Sequence, residues 1–195
     1  MNYWHHIINS CPDVAYPLLE KNYITTGFSD IALQYPKIIE DSFSKMDIKR
    51  LVLYSYQNRN EETLFVEAKD GFKQRTLPVS GTLFNFIYEF KIGDRILVSN
   101  YPIKEHFVIF EVLKNADLIG NLPLKNFVDI NGREITLEDG LLRWNYINFI
   151  DIGFFIKVEP LTVPIDGIFK RPAATNRSLN GMGDQIEEFI MKYKI

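Results

Sequence analysis

The chain opens MNYWHHIIN, and the adjacent His5 and His6 are the first residues that could do chemistry. A shared metal ion is a poor reading of them. On a strand successive side chains leave opposite faces, and sequence neighbours on a helix diverge as well. Zinc sites use spaced pairs such as His-x3-His, which reach one ion together. The pattern predicts a half-buried strand whose histidines flank Trp4. Cys11 is the single cysteine. No internal disulfide is possible, a reducing compartment is expected, and a small buried thiol is the simplest account of it. Asp47, Glu67 and Lys69 make a second constellation. Asp…Glu-x-Lys lets two carboxylates hold a divalent cation while the lysine assists an attacking water, which is nuclease chemistry. Two basic clusters stand out: Lys45, Lys49 and Arg50, and Lys170, Arg171 and Arg177 among Thr175, Asn176 and Ser178. Cations mixed with hydroxyl and amide groups suit phosphate, although such clusters also serve as solvated surface. There is no Gly-rich phosphate loop, nucleophile elbow or His-Glu-x-x-His motif.

The elements that must position these groups read as α+β. At 195 residues the chain fits one domain over 1–195. Its 46% hydrophobic residues are enough for a real core. A net charge of −3 argues against a grip on nucleic acid by bulk attraction. Asn2–Ile8 alternates as a strand. Tyr16–Lys21 reads as a short helix with Pro17 in its first turn and Asp13 as cap. Ile24–Asp30 is a strand end broken at Gly27, and Pro36–Met46 has near-helical apolar spacing. Leu51–Tyr56 and Thr63–Ala68 look like strands joined through Gln57–Glu62, while Asn60-Glu61-Glu62 fits the opening of a helix equally well. Leu83, Phe86, Ile87 and Phe90 give one helical face, capped by Ser80 or Thr82 and stopped at Gly93. Arg95–Val98 and Phe107–Leu113 are partner strands, and Asn131-Gly132 marks a tight turn. Asp151–Val158 is a buried strand. A helix over about 184–195, capped by Asp184, closes the chain. No run approaches the ~20 apolar residues that span a bilayer, and no basic leader precedes an apolar one. The expected setting is cytoplasmic, without a membrane.

The order of these pieces resembles the EVE domains of the PUA-like superfamily, relatives of the YTH domains. The matching residues are Tyr3-Trp4, Gly27-Phe28, Gly93-Asp94-Arg95-Ile96-Leu97 and Ile109-Phe110-Glu111-Val112. The run Ile152–Pro160 with Ala173–Arg177 is similar to N-terminal modules of bacterial modification-dependent restriction systems. Phe28 stands where the family has Trp, and residues at about 31–79 form a longer insertion than the family needs. The resemblance implies a PUA/EVE-like, mostly antiparallel, barrel-like sheet with surrounding helices and a pocket for one extruded, modified base.

Extruding a base costs a few kcal/mol, which stacking and hydrogen bonds to its edge must offset. Trp4, Phe28, Tyr101 and Trp144 are the stacking candidates, and the competing assignment for Trp4 is plain core. Ser29, Asp30 and Asn100 are candidates for reading the edge. Lys49, Arg50, Lys170, Arg171 and Arg177 are the candidate phosphate contacts. The function expected is recognition of a base in nucleic acid, DNA ahead of RNA, as the specificity part of a restriction or defence system. A nuclease or NTPase domain or subunit would act beside it, and no cofactor, metal or catalysis of its own is called for. The rival readings are a metal-dependent nuclease using Asp47, Glu67 and Lys69, and a peptide-binding module.

Overall fold

In a computed structural model of the chain, residues 1–8, 10–58, 65–68, 71–74, 76–144, 148–167 and 176–195 are described, and side chains for 1–8, 10–55, 80–144, 148–167 and 176–195. The opening run forms β1 (Tyr3–Ile7), and His5 and His6 do diverge, each 2% exposed. The strand is buried on both faces rather than half-buried, because helices cover it on both sides.

A helix follows at once. α1 (Pro12–Glu20) starts four residues before the expected Tyr16, with Pro12 in its first turn and Pro17 inside it. The cap is Cys11 in a left-handed backbone (φ 44°), not Asp13, whose carboxylate instead takes Arg133 at 3.3 Å. β2 (Tyr23–Thr26) then runs into α2 (Ser29–Gln34), a helix whose apolar positions are too few to announce it. The expected helix over Pro36–Met46 is a 3-10 turn, Pro36–Ile39, followed by α3 (Lys45–Asn58). Ser44 and Asp47 start α3 reciprocally: the Asp47 carboxylate accepts Ser44 N–H and O–H, and Ser44 Oγ accepts Asp47 N–H at 3.2 Å. Leu51–Tyr56 is therefore helix, not strand. Ile48, Val52 and Ser55, at i, i+4 and i+7, are its buried face and override the local β preference.

β3 (Phe65–Ala68) and β4 (Gly71–Gln74) form a separate antiparallel pair. α4 (Thr76–Phe84) begins ahead of Ser80 and passes into a π turn, Asn85–Glu89. Gly93 (φ +86°) then turns the chain into β5 (Arg95–Ser99), which pairs antiparallel with β6 (His106–Val112). β7 (Asp117–Leu118) leads to a small sheet of β8 (Asn126–Val128), β9 (Glu134–Glu138), β10 (Leu141–Trp144) and β11 (Asn148–Phe149), in spatial order β11-β10-β9-β8. Gly132 (φ +77°) supplies the turn between β8 and β9. β12 (Phe154–Pro160) starts three residues after the expected Asp151. β13 (Ile165–Asp166), β14 (Arg177–Ser178) and α5 (Gly183–Tyr193) complete the described elements, with Met182 rather than Asp184 at the α5 cap position.

The main sheet is mixed, ordered β14-β1-β5-β6-β12-β2, and strongly curled into a half-barrel. Only β1 and β5 on this path run parallel. α2, α3 and α4 pack against it in one cluster, with Phe86, Phe90, Phe110 and Phe154 fully buried there. Burying each such ring is worth about 1.5–3 kcal/mol. A second cluster joins α1 to the small sheet, and a third seats α5 on β5 and β6. Among the described residues no helix is long and apolar enough to cross a membrane.

Candidate functional site

Three chain segments converge on Asp151. Its Oδ1 accepts hydrogen bonds from Ser29 N–H (2.9 Å) and Ser29 Oγ–H (3.0 Å), and its carbonyl lies 4.0 Å from Cys11 Sγ. Burial pushes the Cys11 thiol up from its ordinary value. Phe28, one residue before the anchored serine, holds a left-handed backbone (φ 67°, ψ 48°) and starts α2. A bulky residue pays for that conformation unless its surroundings over-determine it. Here they do. A Cβ on Gly153 would sit 2.4 Å from the Phe28 carbonyl oxygen, and one on Gly27 would sit 2.9 Å from Ser10 Oγ. Gly153 lets backbone meet backbone, Gly27 makes room for the Ser10 hydroxyl, and the Ser29–Asp151 bonds lock the loop. Phe28 is half-buried, with its ring packed against the main cluster.

A second aromatic feature stands where β5 ends. Asn100 is exposed with φ 59°, and its Oδ1 accepts Glu105 N–H at 3.4 Å. Tyr101 is half-buried, leaning on Phe110 with ring centroids 6.0 Å apart. Tyr16, from α1, lies parallel to it: 6.1 Å between centroids and 9° between planes, with its hydroxyl donating to the Asn100 carbonyl at 3.1 Å. Burial raises both phenol pKa values, and the Glu20 carboxylate adds to the rise at Tyr101.

The four stacking candidates do not form one cage. Phe28 and Tyr101 border the same cluster, but Trp4 lies inside it, 6% exposed. Its indole packs on Phe90 (4.9 Å) and donates to Asp94 Oδ2 at 2.9 Å. Asp94 also accepts Asn2 N–H and Lys91 N–H, so Trp4 and the Gly93-Asp94 turn are parts of one buried tie. The assignment of Trp4 to the slot is corrected to core. Trp144 borders the second cluster, and the Arg133 guanidinium sits 4.9 Å over its ring, held by Asp129 (2.6 Å) and Asp13 (3.3 Å). A cation already occupies the surface that a base would need.

Among the polar candidates, Ser29 is buried and engaged with Asp151, and Asp30 is half-buried in the first turn of α2. Lys49 is half-buried, and exposed Arg50 reaches Asp47 at 3.5 Å. Arg177 is exposed on β14, opposite His5 in register. Lys170 and Arg171 lie outside the described residues. In the nuclease constellation, Asp47 is committed to capping α3 and its carboxyl is held below the usual range, chiefly by the Ser44 hydroxyl. Glu67 belongs to β3, and Lys69 lies outside the described residues. No group of three or more His, Cys, Asp or Glu among the described residues is arranged to hold a metal ion.

Two residues of the site carry no local signal of their role: Asp151 and Tyr16 each act on a residue more than eighty positions away. A cleft of about 420 Å³ opens elsewhere, between Tyr3, Asn180 and the first turn of α5. Tyr3 and Asn180 are spent within the fold, the phenol donating to Glu187 and the Asn180 amide oxygen accepting Tyr3 N–H. No family model, curated protein or solved structure matches the chain.

Proposed function

We propose that the chain recognises a base extruded from nucleic acid, with Phe28 as the principal stacking ring and Tyr101 as the second. The observation that carries this reading is the Phe28 loop: a bulky residue kept in a strained backbone, half-buried, by a serine–aspartate clasp and two close glycine contacts. Strain retained at such cost marks a position where a side chain must be presented in one pose. Asp30 and Asn100 offer polar groups for the edge of the base, and Arg177 is a cation for the backbone. The acidic net charge supports selective recognition through a pocket over a general grip. On this reading DNA is the preferred strand, the likeness to EVE-type domains points to a modified base, and cleavage falls to a separate nuclease or NTPase component.

The test is a titration of short duplexes and single strands, modified and unmodified, against the wild type and Phe28→Ala. One base–aromatic stack is worth about 1–3 kcal/mol. Phe28→Ala, still folded by circular dichroism, is expected to bind the preferred oligonucleotide about five- to 150-fold more weakly. Equal, weak binding of every oligonucleotide by the wild type overturns the proposal and favours a peptide partner.

A further inference from the structure

Tyr101 can stack on a base only if its ring is accessible, and that ring already carries another. Tyr16 lies parallel over it, tied by its hydroxyl to the Asn100 carbonyl next to Tyr101 in sequence. Phe110 packs against Tyr101 from the core. Tyr16 sits on α1, which begins at the left-handed Cys11, and Tyr101 follows β5, so the two rings belong to different elements. Both rings are half-exposed.

We propose that Tyr16 is a gate, its ring holding in the free protein the stacking position on Tyr101 that an extruded base takes when bound. The inference rests on the base-reading function. It goes beyond it by giving Tyr16 a role opposite to that of a pocket wall: the protein shields its second stacking ring with its own side chain, and binding must displace that side chain. Part of the stacking gain is then spent in breaking an aromatic pair.

The experiment measures fluorescence anisotropy of a labelled oligonucleotide carrying a methylated cytosine or adenine, with its unmodified counterpart, against wild type, Tyr16→Ala, Tyr16→Phe and Tyr101→Ala. Thermal melts confirm that each variant folds. Tyr16→Ala is expected to bind about two- to tenfold more tightly than wild type. Tyr16→Phe, which keeps the ring but loses the bond to Asn100, is expected to move the same way by less. Tyr101→Ala is expected to bind about five- to 150-fold more weakly. Unchanged or weakened binding by Tyr16→Ala, while the wild type still prefers the modified strand, overturns the gate and leaves the base-reading function standing. Unchanged binding by Tyr101→Ala does the same, leaving recognition to Phe28. A wild type with no preference for any oligonucleotide overturns both.

Discussion

Acid should unlock the half-barrel through His6. The imidazole, on β1, is buried beside Phe86 of the π turn, with Nδ1 2.7 Å from Asn176 Oδ1. The Asn176 amide nitrogen donates to the Thr82 carbonyl, so its oxygen is the acceptor and His6 Nδ1 carries the proton. Asn176 in turn accepts the Asn85 side-chain amide on its own carbonyl, joining β1, the π turn and the start of β14 in one hub. Burial pushes the His6 pKa down to about 4 against an ordinary 6.5, with the Asn176 bond opposing the shift and His5 adding to it. The unfolded chain therefore binds a proton that the folded chain refuses. Stability is complete above pH 6.5 and falls as the pH drops toward 4. One pKa unit corresponds to about 1.4 kcal/mol, so His6 should withdraw about 2–3 kcal/mol between pH 7 and pH 4.5. His5, also lowered by burial, acts in the same direction. Urea unfolding of wild type and His6→Gln at half-unit pH steps isolates this contribution. The gap between the two curves should change by about 2 kcal/mol over that window, in favour of the variant at the acid end. Parallel curves would refute both the buried neutral imidazole and the hub built on it.

Two further substitutions probe the framework of the site. Gly153→Ala forces a methyl to within 2.4 Å of the Phe28 carbonyl oxygen, and backbone has to move; a loss of about 1–3 kcal/mol by denaturant titration is expected, with weakened oligonucleotide binding. An unchanged midpoint would mean that the close approach does not exist. Asp94→Ala orphans the Trp4 indole N–H, and a loss of about 1–3 kcal/mol is expected; a variant as stable as wild type would contradict the tie.

The parts of this fold readable from the chain are those that depend on neighbours. Alternation in β1, the pairing of β5 with β6 and the Asn131-Gly132 turn all follow from local pattern and turn chemistry. Leu51–Tyr56 misleads because β-branched and aromatic residues fit a helix whose buried face begins earlier, at Ile48. α1 misleads because its cap is a backbone conformation at Cys11, which no residue type announces. The site divides in the same way. Phe28 and Tyr101 stood out as aromatics beside Gly and Asn, whereas their partners Asp151 and Tyr16 are supplied by tertiary contact alone. Trp4 stood out for its size, and size is what places it in the core.

The placement of β1 shapes how the protein can be made. Its lateral neighbours are residues 95–99 on one side and 177–178 on the other. During synthesis β1 emerges well before either neighbour, and its second edge stays uncovered until residues 177–178 have followed. Loop closure on that scale is slow, and an uncovered edge invites pairing with other chains. Nascent chains halted before Ser178 should therefore depend on chaperones, and variants cut before Ser178 should aggregate.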